Sequence, residues 1–200
     1  MSDLFNEKAK DWDASERKQL ISSAVAAAIL KNVPLNPQMD VMDFGAGTGL
    51  ISAHIVPFVD KIVAVDISIA MLEKLTEKPE FRDKVEAVCQ DITDKPIDAK
   101  FDLIISALAL HHVEDTLKLI KTFVEHLKPG AKVALADLDK EDGSFHPEGS
   151  EGVYHSGFER DELQTLLENN GFYDVQFFTI HTMKKNGKQY PVFLVVATKC

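Results

Sequence analysis

Three glycines on alternate positions, Gly45, Gly47 and Gly49, follow a short apolar run over residues 39–44. An apolar helical pattern begins directly after them at Leu50. A strand, a glycine turn and a helix N-terminus in this order direct free backbone N–H groups and the positive end of a helix dipole at a ligand. Glycine suits such a turn because a Cβ would block both the left-handed backbone angles and the ligand's approach. The spacing therefore predicts a ligand-binding loop.

The spacing of this loop differs from that of a dinucleotide-binding loop. The dinucleotide fingerprint is G-x-G-x-x-G, and its third glycine would fall at position 50, where the chain has Leu50. The loop here is G-x-G-x-G, and an acidic residue, Asp43, stands two positions before the first glycine. The spacing therefore disfavours NAD as the ligand.

Polar side chains also end the strands that follow. Asp66 ends one apolar run, Asp91 follows the next, and Ser106 ends a third. In open α/β sheets, ligands bind at the carboxyl ends of the strands, near the point where the strand order reverses. A carboxylate at Asp66 can accept hydrogen bonds from both hydroxyls of a ribose. The alternative role for Asp66 is a helix cap, although Ser68 is better placed for that.

The elements that position these residues alternate between strand and helix from Asp40 onward. The pattern predicts strands over 39–44, 61–66, 85–89, 101–106 and 132–137, and helices over 49–57, 69–77 and 115–128. In the last of these helices the apolar positions on one face are Leu117, Ile120, Val124 and Leu127. Nearly continuous apolar strands that alternate with helices indicate a parallel sheet covered on both faces.

The alternation stops after residue 137. A long loop over 138–157 carries several acidic residues, and loops of this length are usually functional or disordered. A helix over 160–170 follows, and strands over 173–183 and 189–199 close the chain around an Asn-Gly turn at Asn186. The sequence thus predicts a terminal hairpin added to the parallel sheet.

The N-terminal part precedes the sheet. Phe5, Ala9 and Trp12 have the spacing of one helical stripe, and a second apolar helix is predicted over 20–33, where Pro34 ends it. The first segment could fold over a ligand, or it could be an ordinary amphipathic helix packed on the surface.

Composition limits the class of protein. The 200 residues suit one domain, and the formal net charge of −10 argues against broad binding to nucleic acid. The basic cluster Lys184, Lys185 and Lys188 surrounds the Asn-Gly turn and is interpreted as a solvated hairpin tip. No apolar run has membrane-spanning length, and two cysteines make no disulfide framework. One of them, Cys89, ends the predicted buried strand over 85–89 and is interpreted as a residue packed in the core. A reducing cytoplasm is the expected location.

Taken together, these motifs resemble the class I S-adenosylmethionine-dependent methyltransferases, and specifically the small-molecule enzymes of the type 11 and type 12 groups. The glycine loop with Asp43 is similar to the family's first motif. Further similarities are carried in chain order by Val65-Asp66-Ile67-Ser68 with Met71, Gln90-Asp91-Ile92, Phe101 to Ser106 with Leu110-His111-His112-Val113, and Leu127-Lys128-Pro129-Gly130. The resemblance is specific over about 40–139 and looser beyond.

The resemblance implies an α/β fold with a Rossmann-like, seven-stranded, mostly parallel sheet. Its strand order would be 3-2-1-4-5-7-6, with the last strand antiparallel and helices on both faces. One methyltransferase domain would fill 1–200, with residues 1–37 as a helical lid or cap and 38–200 as the core. The implied cofactor is S-adenosyl-L-methionine, with S-adenosyl-L-homocysteine as its product.

The resemblance also implies which residues bind this cofactor. Asp66 would hold the ribose, Ile67 and Met71 would flank the adenine, and Asp91 would reach the adenine amino group. The full expected set is Asp43, Gly45, Gly47, Gly49, Asp66, Ile67, Met71, Asp91, Ile92, Ser106 and Trp12.

Catalytic residues are harder to predict, because the cofactor is already activated and a base is needed only for a protonated acceptor. Two histidines in loops that should border the methyl group, His111 and His155, are the candidates. His155 could instead tie its loop to the following helix. Asp137 or Asp139 could supply a metal ligand, but no Asp-Asn pair follows downstream, so no metal is expected.

The predicted function is methyl transfer to a small-molecule acceptor by in-line displacement. No Asn/Asp-Pro-Pro-Tyr motif follows strand four, and no Pro-Cys nucleophile is present, which disfavours several base-methylating classes. Two alternatives stay open: a methyltransferase for tRNA or protein, and a cofactor-binding protein without catalysis. No membrane partner is expected, and the sequence leaves the acceptor and the oligomeric state open.

Overall fold

The computed structural model of the chain describes residue 5 and residues 7–147 and 149–200. The helices are α1 (Glu16–Asn32), α2 (Ser52–Ile55), α3 (Ile69–Thr76), α4 (Thr116–His126) and α5 (Arg160–Asn169). The strands are β1 (Asp40–Phe44), β2 (Lys61–Asp66), β3 (Val85–Cys89), β4 (Phe101–Ala107), β5 (Leu127–Leu138), β6 (Phe172–Lys185) and β7 (Lys188–Lys199). Short 3-10 turns lie at Ala9–Asp11, Val56–Phe58, Pro79–Phe81 and Leu110–His112.

The strands form one seven-stranded sheet in the order β3-β2-β1-β4-β5-β7-β6. β1 pairs in parallel with β2 and β4, and the pairs β2–β3 and β4–β5 are also parallel. β7 runs antiparallel to both β5 and β6. The predicted Rossmann-like order and the antiparallel last strand are confirmed. The strand order reverses between β1 and β4, so a crevice is expected at their carboxyl ends.

The helices cover both faces of this sheet, as predicted. On one face, α1 contributes Ile21, Val25 and Ile29 to a core shared with α2, α3 and the sheet. On the other face, α4 and α5 pack Phe123 and Leu167 into a second core. Neighbouring residues of each inner strand point to opposite faces, which divides the strand side chains between the two cores.

Two local predictions about side-chain burial are wrong. Leu117, placed on the buried face of α4, is 41% exposed, whereas Leu119, Ile120 and Phe123 are buried. The buried face is therefore rotated from the predicted one, because contact with the sheet determines it. Cys89, interpreted as a core residue, is exposed, since β3 is an edge strand of the sheet.

Some element boundaries also differ from the prediction. α1 begins at Glu16 rather than at residue 20. β5 begins at Leu127, which pairs with Phe101 of β4. α4 therefore ends at His126, two residues before the end predicted at residue 128. The terminal hairpin is confirmed: Asn186 and Gly187 have φ of 51° and 77°, as a tight primed turn requires.

The N-terminal segment is described in part. Residues 1–4 and 6 of the predicted lid lie outside the described residues, and the division into a lid over 1–37 and a core over 38–200 stays a prediction. No helix within the described ranges has both the length and the apolarity to cross a bilayer.

Candidate functional site

The glycine loop after β1 is fastened to the end of β2. The N–H groups of Gly45 and Ala46 donate to the carbonyl of Val65 at 2.9 and 3.1 Å. The N–H of Gly47 donates to Oδ2 of Asp66 at 2.8 Å. These bonds bring the loop and the β2 carboxylate together at the predicted crevice.

The three glycines are required for different reasons. All have positive φ: 68° at Gly45, 54° at Gly47 and 79° at Gly49. A Cβ on Gly45 would lie 2.4 Å from Cβ of Ala109, and one on Gly49 would lie 2.7 Å from the ring of Phe81. At Gly47 the nearest atom is Nε1 of Trp12, at 4.0 Å. Gly47 therefore faces open space, whereas the other two pack against the protein.

Asp66 organises the turn between β2 and α3. Its Oδ1 accepts the N–H of Ser68 at 2.8 Å, in addition to the Gly47 bond at Oδ2. The hydroxyl of Ser68 accepts the N–H of Met71 at 3.3 Å and so caps α3. Because Ser68 serves as the cap, the carboxylate of Asp66 is not required for that purpose.

A cavity of about 520 Å³ opens at this edge of the sheet. Its volume falls within the range of small-molecule sites, roughly 300–1,000 Å³. Most of the predicted site residues line it, namely Trp12, Asp43, Gly45, Gly47, Asp66, Ile67, Met71, Asp91 and His111. The cavity thus extends from the glycine loop to the turn after β4.

Four of the predicted residues do not line this cavity: Gly49, Ile92, Ser106 and His155. Ile92 is fully buried in the core. The hydroxyl of Ser106 donates to the carbonyl of Phe44 at 2.9 Å and so joins β4 to β1. Ser106 is 1% exposed, and its position is that of a structural hydrogen bond.

The N-terminal segment forms one wall of the cavity. Asp13 accepts a hydrogen bond from the hydroxyl of Thr48 and pairs with Lys78, whose Nζ lies 2.7 Å from Oδ2. Nζ of Lys18 lies 3.2 Å above the ring of Trp12, and burial lowers the pKa of Lys18, with Arg17 adding to the effect. Asp13 thereby anchors this segment to the glycine loop and to the end of α3.

Asp43 is a buried carboxyl beneath the loop. It is 2% exposed, and Ser52 donates to its Oδ2 at 2.6 Å. Burial raises the pKa of Asp43 to about 7, with the charge of Asp66 adding to the rise and the Ser52 hydrogen bond opposing it. A partly protonated carboxyl therefore lies behind the glycine loop at neutral pH.

Three histidines cluster at the other end of the cavity. The ring centroid of His111 lies 4.1 Å from that of His112 and 5.1 Å from that of His146. Burial lowers the pKa of His112 and of His146 to about 4, and proximity to His111 contributes to both shifts. Nε2 of His146 is buried without a hydrogen-bond partner among the described residues.

His111 is held by a carboxylate from the next strand. Its Nδ1 lies 2.8 Å from Oδ1 of Asp137, on β5. His111 is 2% exposed and Asp137 is fully buried. Both residues are candidates from the sequence, Asp137 only as a possible metal ligand, but no sequence pattern predicts their pairing.

His155 has a different environment. Its Nε2 lies 2.9 Å from the carbonyl oxygen of Val113 and 3.2 Å from Oγ1 of Thr116. These contacts join the loop after β5 to the start of α4. The geometry favours the alternative in which His155 ties its loop in place, and its catalytic role stays a prediction.

Several cavity residues were not selected from the sequence. Lys18 lies on α1, whereas Phe145 and Tyr154 come from the loop after β5. Phe145 packs on His146, with ring centroids 4.9 Å apart. The signal that could have identified them is the clustering of aromatic residues and histidines in a long loop beside a binding crevice.

Comparisons with known proteins agree with this geometry. A family described as a methyltransferase domain matches residues 14–177. A methyltransferase of Schizosaccharomyces pombe is 31% identical over 150 residues, which are 66% of this chain and 52% of that protein. A phosphoethanolamine N-methyltransferase of Triticum aestivum is 31% identical over 147 residues, which are 70% of this chain and 29% of that protein. The chain thus spans about half the length of the first relative and under a third of the second.

Solved structures give the same fold. The N-methyltransferase NodS from Bradyrhizobium japonicum WM9, solved with S-adenosyl-L-homocysteine, superposes with a TM-score of 0.72 at 15% identity. That match covers 94% of this chain and 89% of NodS. With the family match over most of its length, the chain belongs to the class I S-adenosylmethionine-dependent methyltransferases, whose cofactor is S-adenosyl-L-methionine.

Proposed function

We propose that this chain transfers a methyl group from S-adenosyl-L-methionine to a small-molecule acceptor by in-line displacement. The observation that carries the proposal is the lining of the cavity. The N-terminal segment contributes Phe5 and Trp12 to it, and the loop after β5 contributes Phe145 and Tyr154. A concave site lined by aromatic side chains suits a small acceptor better than a base within a nucleic acid helix.

The glycine-loop half of the cavity fits the nucleoside of the cofactor. A side chain at position 47 would project into the cavity below Trp12, so Gly47 leaves room for a ligand. Asp66 is placed to accept ribose hydroxyls, Ile67 and Met71 to flank the adenine, and Asp91 to meet its amino group. When bound, S-adenosyl-L-methionine supplies a methyl group on a positively charged sulfur, so the protein's task is alignment and exclusion of water.

The histidine half of the cavity fits the acceptor. His111 lines it together with His112 and His146. We assign His111 as the residue that acts on the acceptor, because its ring is held in place by Asp137 and borders the open space. The variant His155→Ala distinguishes the two roles of His155. If His155 ties its loop in place, the variant should have a lower melting temperature. If His155 is catalytic, the variant should lose turnover alone.

The relatives support a small acceptor. The wheat relative is named for phosphoethanolamine, which is a small molecule. The match covers 29% of that relative's length. A cytoplasmic location is proposed with it, on the absence of a disulfide framework in the sequence.

Two alternatives make different predictions. A methyltransferase for tRNA would need a basic surface, yet Nζ of Lys188 in the hairpin cluster pairs with Asp142 at 2.6 Å. The net charge of −10 also opposes a phosphate-binding face. A cofactor-binding protein without catalysis would bind S-adenosyl-L-homocysteine but methylate nothing.

One experiment separates the three functions. The purified protein is incubated with methyl-tritiated S-adenosyl-L-methionine and a cell extract divided into small molecules, tRNA and protein. The proposal predicts label in the small-molecule fraction. Label confined to tRNA or protein would identify a macromolecular acceptor, and binding without transfer to any fraction would identify a non-catalytic protein.

A further inference from the structure

The contact between His111 and Asp137 joins two neighbouring strands at the edge where the cavity opens. Ala107 at the end of β4 pairs with Ala136 of β5, so Asp137 comes next along its strand. The turn that carries His111 follows β4 directly. The topology therefore brings a buried carboxylate behind a histidine that lines the cavity.

The hydrogen bonds of Asp137 determine which nitrogen of His111 carries the proton. Oδ1 of Asp137 accepts the N–H of Leu138 at 2.7 Å, and Oδ2 accepts the N–H of His111 at 3.2 Å. Both carboxyl oxygens of Asp137 thus act as hydrogen-bond acceptors for backbone N–H groups, and an accepting oxygen beside an imidazole nitrogen requires that nitrogen to be the donor. Nδ1 of His111, 2.8 Å from Oδ1, must then be the protonated nitrogen, and the lone pair lies on Nε2.

The surroundings of His111 leave this lone pair usable. His111 lines the cavity, and its Nε2 makes no hydrogen bond within the part of the chain that is described. The titratable groups that face it are Asp137 from β5, His112 from its own turn and His146 from the loop after β5. Burial keeps the pKa of His112 and of His146 near 4, so both are neutral at pH 7 and add no positive charge.

A purely structural role explains this arrangement less well. The bond from the backbone N–H of His111 to Oδ2 of Asp137 would fasten the turn to β5 whether or not a histidine ring were present. A buried carboxyl group needs a partner that compensates for its removal from water. An imidazole beside it gains a positive charge only after accepting a proton, and at that moment the carboxylate stabilises it.

We propose that Asp137 is a positioning residue that holds His111 with Nε2 as the proton acceptor, and that the substrate is a small molecule whose methylated oxygen or nitrogen carries a proton. This inference rests on the proposed function. The acceptor's proton passes to the Nε2 lone pair of His111, and the acceptor keeps the electron pair of the broken bond and uses it to bond the methyl carbon. The carbon–sulfur electron pair stays on sulfur, and the resulting imidazolium pairs with Asp137. A hydroxyl, a phenol or a protonated amine fits this class, whereas a thioether or tertiary amine without a proton does not.

The tautomer is measurable without any acceptor. Protein labelled with ¹⁵N-histidine and saturated with S-adenosyl-L-homocysteine is studied by NMR, with His111→Gln identifying the signal. We expect the Nδ1–H tautomer in the wild type and a shift toward Nε2–H in Asp137→Asn, because an amide can donate to Nδ1. The matched control is Asp139→Asn, two residues along, where the carboxylate pairs with Arg160 instead. An Nε2–H tautomer in the wild type, or an unchanged tautomer in Asp137→Asn, would overturn the proposal.

A kinetic arm tests the proton transfer. With methyl-tritiated cofactor and the small-molecule extract, Asp137→Asn should lose roughly 10²-fold or more in turnover, the range for general base catalysis. The cofactor affinity and melting temperature of Asp137→Asn should stay near those of the wild type. Asp137→Glu should recover part of the rate. In His111→Gln, the acidic limb of the pH–rate profile should disappear. Parallel losses of affinity and melting temperature would make Asp137 structural. If the wild type labels no fraction at all, the proposed function fails, and the NMR result still decides the state of His111.

Discussion

The N–H of Gly47 lies 2.8 Å from Oδ2 of Asp66, so the loop after β1 and the end of β2 form one hydrogen-bonded unit. Oδ1 of Asp66 accepts the N–H of Ser68, which caps α3. A single carboxylate thus connects two strand ends and a helix start beside the cavity. Substitutions at either residue should therefore act first on ligand binding.

Asp66→Ala should weaken binding of S-adenosyl-L-homocysteine by about 1–3 kcal/mol, the cost of leaving polar partners unpaired. The control is Asp60→Ala, because Asp60 is exposed just before β2 and lies outside the cavity lining. Titration calorimetry measures both affinities. Wild-type affinity in Asp66→Ala would rule out the ribose role.

Gly47→Val should abolish binding by filling the space below Trp12, while the domain stays folded. A side chain at the positive φ of 54° adds strain of roughly 1–2 kcal/mol. Gly187→Val is the matched control, because Gly187 also has positive φ, 77°, but no heavy atom within 4 Å of an added Cβ. Both substitutions should lower the melting temperature by similar amounts. Only Gly47→Val should abolish the rise in melting temperature that S-adenosyl-L-homocysteine causes. A normal rise in Gly47→Val would place the ligand elsewhere.

The N-terminal segment around Trp12 and the loop over 139–157 should become protected from hydrogen exchange when S-adenosyl-L-homocysteine binds. Both contribute walls of the cavity and lie outside the regular sheet and helices. Asp13→Ala removes the contacts to Thr48 and Lys78 and should reduce the protection near Trp12. Equal exchange in the free and bound protein would contradict a closing lid.

The stability of the free protein should carry the signature of Asp43. Its pKa is raised from 3.8 to about 7, so between these pH values the folded state holds a proton that the unfolded state has lost. The contribution of Asp43 to the free energy of unfolding should therefore fall as pH rises through this window, by at most about 1.4 kcal/mol per pH unit, and level off above pH 7.

Asp43→Asn removes this titration, so the difference between wild type and variant isolates it. His112 and His146 titrate in both proteins, and their opposite contributions cancel in the comparison. Urea unfolding at pH 5, 6, 7 and 8 gives the difference. A difference that does not change across this range would show that the pKa of Asp43 is not raised by burial.

The sheet was predictable from sequence because its signals are local. Apolar runs, the glycine loop and the Asn186-Gly187 turn each specify their own segment, whereas the strand order followed from the resemblance of the motifs to the methyltransferase family. The buried face of α4 was not predictable in the same way, because contact with the sheet buries Phe123 and leaves Leu117 exposed.

The site was predictable in one half only. Motif spacing located the glycine loop and Asp66, which are adjacent to their own strands. The pairing of His111 with Asp137 joins residues far apart in the chain, and no local pattern indicates it. The hydrogen bond from the hydroxyl of Ser106 to the carbonyl of Phe44 on the neighbouring strand was not predictable for a similar reason, and the binding role of Ser106 stays a prediction.

Titration calorimetry with S-adenosyl-L-homocysteine and with NAD tests the central claim most directly. The claim is that the G-x-G-x-G loop, with Leu50 where a dinucleotide loop has glycine, holds the cofactor of a methyltransferase. We expect S-adenosyl-L-homocysteine to bind one site per chain, with NAD giving no measurable heat. Binding of NAD more tightly than S-adenosyl-L-homocysteine would contradict the account.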